Sequence, residues 1–198
     1  MKNNLGFIAL LVALSLILSA CSLPWGTGGE KLKEPSDKNS PPPVDDTDTH
    51  LDPNEGIDEE QEIAIMVYFS DAQADKVAPE HRNVRVPKGK KIEEIIFEEL
   101  KKGPSINGLD PVIPEGTRFL SADKEGDVLT LNLSREFIDN HIGGSMAEMM
   151  TLNSIVASYT ELSGINFVQF LIEGEVQEVF IHSVLDVPIQ RDEGSIKK

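Results

Sequence analysis

Val128-Leu129-Thr130-Leu131-Asn132-Leu133 is the stretch whose reading decides the fold. Apolar and β-branched residues crowd six positions, the pattern of a mostly buried strand. After Ser134-Arg135-Glu136 come Phe137-Ile138 and a loop from Asp139 to Gly144. Ser145 then stands three residues before Glu148, the spacing of a capping box, in which each side chain satisfies a free backbone N–H. Met149, Leu152, Ile155, Val156 and Tyr159 recur every three or four residues, which predicts a helix with one apolar face. Gly164 is placed to end it in a left-handed conformation. A strand feeding such a helix needs a sheet, and the flanking segments supply one.

Upstream, Glu62 to Phe69 is apolar almost throughout and reads as a strand interior to a sheet. The segment Pro79 to Pro87 is bracketed by prolines and reads as irregular chain or an edge strand. From Ile92 a helix turns Ile92, Ile95, Ile96 and Leu100 inward, keeps Glu93, Glu94, Glu98 and Glu99 wet, and stops at Gly103-Pro104. A connection from Ser105 to Gly116 carries Pro111 and Pro114. Thr117 to Ala122 pairs with Val128 to Leu133 as a hairpin across Asp123 to Asp127. Downstream, Asn166 to Ile172 is a strand, Glu173-Gly174 turns into a further strand at Val176 to Ile181, and Asp186 to Ile189 packs a tail. The order β-α-β-β-α-β-β predicts an α+β, two-layer fold. Its sheet, mixed or antiparallel, has three to five strands, with two helices on one face.

The address precedes the fold. Lys2 and the apolar run Leu5 to Leu18 form an export signal too short to span a bilayer comfortably. It ends in Leu18-Ser19-Ala20-Cys21, which resembles the bacterial lipobox. Residues 1–20 are therefore expected to be a lipoprotein signal peptide, with Cys21 lipidated after cleavage. Cys21 is the one cysteine in the chain, so an intramolecular disulfide is excluded. The expected location is the extracytoplasmic face of a cell membrane, held by lipid.

Residues 21–62 read as a disordered tether, acidic and rich in proline and glycine, with too few large apolar residues to offset chain entropy. Two readings of it stay open, a spacer through a wall or gap and a solubilising arm. Residues 63–190 form the domain, and 191–198 a flexible tail. The net charge of −16 over 198 residues argues against a nucleic-acid partner.

The motifs of catalysis are missing. His50, His81, His141 and His182 form no paired-ligand spacing, so no metal or cofactor is expected. Gly143-Gly144-Ser145-Met146-Ala147 lacks the last glycine of a nucleophile elbow, and Ser145 reads as a helix cap. Asp71, Glu80 and Asp110 are acids that the fold could bring together for sugar hydrolysis, but their spacing does not require it. The basic exceptions are Arg82, Arg85, Arg118 and Arg135. Each either engages an anionic group of a ligand or partner, with Arg82, Arg118 and Arg135 the candidates, or pins a loop through carbonyls and local acids.

Several runs carry a resemblance. Val67-Tyr68-Phe69-Ser70-Asp71, Pro79-Glu80-His81-Arg82 and Glu99-Leu100-Lys101-Lys102-Gly103-Pro104 are similar to the GerMN domain. So are Ile113-Pro114-Glu115-Gly116-Thr117, Leu131-Asn132-Leu133-Ser134-Arg135-Glu136-Phe137, Gly144-Ser145 and Val168-Gln169-Phe170-Leu171-Ile172-Glu173-Gly174. They keep the family's order from about residue 63 to 190. Asn132 departs from it, standing where the family usually has Asp, and the chain has room for one such domain. The resemblance implies a lipid-anchored, non-enzymatic module of sporulation or spore germination, with a fold similar to the ring-building motif. The implied partners are an envelope protein or a second copy of the chain. A receptor for cell-wall fragments, using Arg82 or Arg118, is the alternative, and a wall-active enzyme comes third.

Overall fold

A computed structural model describes residues 59–198 of the chain. The expected signal peptide, Cys21 and nearly all of the expected tether lie outside the described residues. Strand β1 (Gln61–Asp71) pairs antiparallel with β2 (Val77–Val86) in unbroken register, Gln61 opposite Val86 and Ser70 opposite Val77. Helix α1 (Ile92–Lys102) follows, with Glu93 and Glu94 in its first turn and Lys101 and Lys102 in its last, the charges that suit the helix dipole. The two-residue β3 (Leu109–Asp110) adds to the other edge of β1, giving the sheet order β2-β1-β3. The segment Pro79 to Pro87 is thus an edge strand, and β1 lies between β2 and β3, with β3 pairing only at Ser70 and Asp71.

Strands β4 (Phe119–Glu125) and β5 (Val128–Leu133) form the expected hairpin, with a tighter turn: Glu125 faces Val128 across Gly126-Asp127, where Gly126 takes φ 63°. A single turn, α2 (Glu136–Asp139), leads to α3 (Ser145–Tyr159), and β6 (Phe167–Ile172) returns parallel to β5. Strand β7 (Glu175–Val176) and later β8 (Ile189–Gln190) pair antiparallel with β6. The fold is α+β, with mixed and antiparallel sheets of three and five strands. One core joins both sheets to the helices. Ile65, Val67 and Phe69 come from the first sheet, Leu129, Leu131, Val168 and Phe170 from the second, and Ile96, Leu100, Ile155 and Tyr159 from the helices.

Three expectations need correction. Strand β5 is buried on one face only: Leu129, Leu131 and Leu133 point inward while Val128, Thr130 and Asn132 are half-buried. The apolar face predicted for α3 is incomplete, because the helix is covered nearly all round. Leu152, Ile155, Val156 and Tyr159 enter the main core, whereas Met150 and Ala157 pack with Tyr68 and Val77 on another side. Met149, placed on the apolar face by spacing, is 43% exposed. Between these sides Ser154 and Ser158 meet the edge of β1. The Tyr68 amide donates to Ser158 Oγ at 2.9 Å, and Ser154 Oγ donates to the Tyr68 carbonyl. A helix therefore covers an edge that would otherwise be free to pair.

The third correction concerns the end of the chain. Val176 to Ile181 is not a strand beyond Val176 but a loop that buries Phe180. The last residues, expected as a flexible tail, are tied down. Arg191 reaches the Ala157 carbonyl at 3.0 Å, Glu161 at 2.7 Å and the Tyr68 hydroxyl at 3.0 Å, and the Lys197 amide donates to Val77 O at 2.8 Å. A long arginine reaching carbonyls far along the chain leaves no hydrophobic period to read.

Candidate functional site

The connection between α1 and β4 forms one wall of a cleft of about 570 Å³, and the start of α3 with its preceding loop forms the other. Pro111, Val112, Ile113 and Pro114 line the first wall and Ile142, Ala147 and Met150 the second, and Ser70 and Ala74 also line the cleft. Size and apolar lining are those of a ligand pocket. The two prolines limit the backbone freedom of the connection, which is also held by hydrogen bonds. Thr117 N and Oγ1 both donate to Pro114 O, and Asn140 Nδ2 donates to Glu115 O at 2.8 Å.

His141 joins the walls. Its Nδ1 accepts the Gly143 N–H at 3.0 Å, so the proton sits on Nε2, which donates to Thr151 Oγ1 at 3.0 Å. Thr151 Oγ1 in turn donates to Val112 O at 3.0 Å. The imidazole lies edge-on to Phe180, 4.8 Å between centroids. Burial pushes its pKa below the ordinary histidine value, against a smaller upward pull from Glu148.

Around the mouth the surface is aliphatic. Ile142 is 92% exposed, and Met146 and Met149 lie open on the first turns of α3. The loop after β7 adds Val179, Ile181 and Val184. It is drawn to the same place by Glu148, a fully buried carboxylate that accepts the His182 and Ser183 amides at 2.8 and 3.1 Å and His182 Nδ1 at 2.6 Å. The expected capping box does not form. Gly144 occupies the N-cap with φ 90°, Ser145 begins the helix, and Glu148 turns to the loop instead.

The candidate arginines do not converge on this cleft. Arg82 is saturated within the chain. It donates to Glu80 Oε1 from Nε at 2.8 Å, to Glu99 O and Oε2 from Nη1, and to Gly103 O from Nη2 at 2.6 Å. It also lies over the Phe69 ring. It fastens the C-terminal end of α1 to β2, the loop-pinning role. Arg85 reaches Glu60 at the surface, 3.3 Å away. Arg118 and Arg135 share an exposed cluster where β5 and β6 end. Arg118 stands 3.8 Å from Glu136 and 3.9 Å from Glu173, and Arg135 Nε donates to Asp139 at 3.1 Å.

Nor do the acids make a catalytic pair. Glu80 is buried with Arg82 and the Ser105 backbone, Asp71 accepts the Asp75 amide, and Asp110 is exposed on β3. No group of three potential metal ligands occurs among the described residues. No helix among them is long and apolar enough to cross a membrane.

The Glu173-Gly174 turn explains the departure at position 132. Both residues take positive φ, 52° and 85°, as a two-residue hairpin demands. Gly174 N donates to Asn132 Oδ1 at 2.9 Å, and Arg135 N donates to Glu173 Oε1 at 3.0 Å. Position 132 needs an oxygen acceptor, which an amide supplies as well as a carboxylate does.

Sequence reasoning missed the cleft, because one wall and half of the other come from loops with no period. One signal was present: Ile142 stands between His141 and Gly143-Gly144, an aliphatic side chain in a loop with no strand or helix to bury it.

Comparison with known families settles the class of domain. The model of the Germane family, described as sporulation and spore germination, matches residues 66–178. The chain belongs to the Germane family. The Germane match takes in both walls of the cleft, α3 and Glu148, and ends before β8 and the Arg191 contacts.

Among solved structures, the tandem GerMN domains of the sporulation protein GerM from Bacillus subtilis are 20% identical to the chain, with a TM-score of 0.52. The match covers 71% of this Germane chain and 48% of that one. The first GerMN domain of the same protein is 19% identical with a TM-score of 0.46, covering 66% and 96%. A candidate lipoprotein from Clostridium perfringens is 27% identical with a TM-score of 0.45, covering 65% and 87%. No curated protein sequence matches significantly.

Proposed function

We propose that this chain is a lipid-anchored, extracytoplasmic, non-enzymatic module that holds another envelope protein, or a second copy of itself, in a sporulation or germination assembly. One observation carries the reading. Ile142, Met146 and Met149 stand exposed on α3 and the loop before it, and Ile181 and Val184 on the loop that Glu148 and His141 tie to them through His182 and Phe180. Clustered aliphatic side chains on a rigid base are the usual mark of an interaction surface. The lipobox ending in Cys21 supports the anchor, and the family supports the process.

The test is site-specific cross-linking in the native host. A photoreactive residue at Met149 or Ile181 is expected to capture one partner of defined mass, and one at Lys88 is not. Ile142→Asp is expected to abolish capture without unfolding the chain. Uniform capture at all three positions would count against a defined surface. For the anchor, Cys21→Ala is expected to move the protein from the membrane to the soluble fraction. The alternative, a receptor for wall fragments, draws on the size of the cleft, although neither Arg82 nor Arg118 lines it.

A further inference from the structure

The lining of the cleft is asymmetric in its chemistry. Its side-chain donors are turned back into the chain. Ser70 Oγ donates to Asp71 O, Asn140 Nδ2 to Glu115 O, His141 Nε2 to Thr151, and Thr151 to Val112 O. Its two carboxylates are not taken up in the same way. Asp110 and Glu115, both exposed, are the acidic residues of the lining, and no lysine or arginine lines it. Neither carboxylate has an ion pair among the described residues, whereas Glu80, Glu99 and Glu161 are each taken by an arginine. The chain as a whole carries −16, which favours cationic over anionic partners. An anionic ligand would meet like charge and few free donors.

Resting on the interaction reading above, we propose that the cleft receives a short basic and apolar peptide segment of the partner. One large apolar side chain enters between Ile113 and Met150, and a flanking lysine or arginine meets Asp110 and Glu115. Burial of the apolar side chain supplies the affinity. The two acids fix which segments are accepted.

The test uses the mature chain and three capped synthetic peptides with a Leu-Phe centre, flanked by lysine, by glutamine or by glutamate. Amide NMR shifts at Ala74, Ile113, Ile142 and Ala147 are the readout. The lysine peptide is expected to move these four signals and to bind about tenfold more tightly than the glutamate peptide, as two partly exposed ion pairs imply. Asp110→Asn with Glu115→Gln is expected to erase that preference, and raising salt from about 50 to about 300 mM to shrink it. Ala147→Trp, which fills the cleft, is expected to remove binding while the amide spectrum of β5 and β6 stays in place. Equal or tighter binding of the glutamate peptide overturns the proposal. So does silence of the four signals at millimolar peptide.

The two readings fail separately. Partner cross-links at Met149 that survive Asp110→Asn with Glu115→Gln reject this occupant and leave the module standing. Peptide selectivity without any cross-link rejects the module and leaves the cleft's preference.

Discussion

The Glu148 carboxylate, fully buried at the start of α3, accepts the backbone N–H of His182 at 2.8 Å. It thereby holds the loop that carries Val179, Ile181 and Val184 against the helix that carries Met146 and Met149. Glu148→Ala leaves the His182 and Ser183 amides without their acceptor. It is expected to cost about 1–3 kcal/mol in urea unfolding and to speed hydrogen exchange at those two amides. Unchanged exchange there would show that the loop holds itself.

The same carboxylate gives a pH dependence. Burial alone would raise its pKa, but the donors of His182 and Ser183 outweigh it and hold the carboxyl below the usual range. A depressed folded pKa means that the unfolded chain binds more protons through that window. The stabilisation is therefore full above the unfolded pKa and is lost as pH falls through the folded one. Melting temperature is expected to fall on acidification more steeply in the native chain than in Glu148→Gln.

His141 titrates higher and with the same sign. Because burial depresses its pKa, the folded state resists a proton that the unfolded chain accepts near pH 6.5. Stability is expected to fall as pH drops below that value. Protonation would also cancel the Nδ1 acceptor that receives Gly143 N–H. Following the imidazole by NMR checks this directly, and a pKa above 6.5 would contradict it.

Arg82 and Glu80 form a pair whose side chains are 12% and 3% exposed. Arg82→Ala strands a buried carboxylate and frees the carbonyls of Glu99 and Gly103, so a loss of about 3–5 kcal/mol is expected. Arg82→Lys keeps the charge but loses the fork that reaches both acids and both carbonyls, and is expected to fall between. Denaturant midpoints of the two variants decide this.

Asn132→Asp is expected to be nearly silent, since Gly174 N still finds an oxygen. Asn132→Ala is expected to cost about 0.5–1.5 kcal/mol, the worth of an ordinary hydrogen bond. Equal losses in both variants would refute the acceptor role.

By itself the sequence determined the long elements. Alternation and runs of Val, Ile, Leu and Phe marked β1, β5 and β6, and the spacing of Ile92, Ile96 and Leu100 marked α1, because local periodicity follows from which face must leave water. It also carried a leader that resembles an export signal with a lipobox, and the motifs that led to the family. Tertiary structure decided the partners of the polar groups. Glu148 has the spacing of a cap yet serves a loop 34 residues away, Ser154 and Ser158 cover a strand edge that no spacing announces, and Arg191 looks like tail yet reaches Tyr68. Apolar burial leaves a period in the chain, but a hydrogen bond between distant segments leaves none. The cleft, built from such bonds, was visible only once the chain had folded.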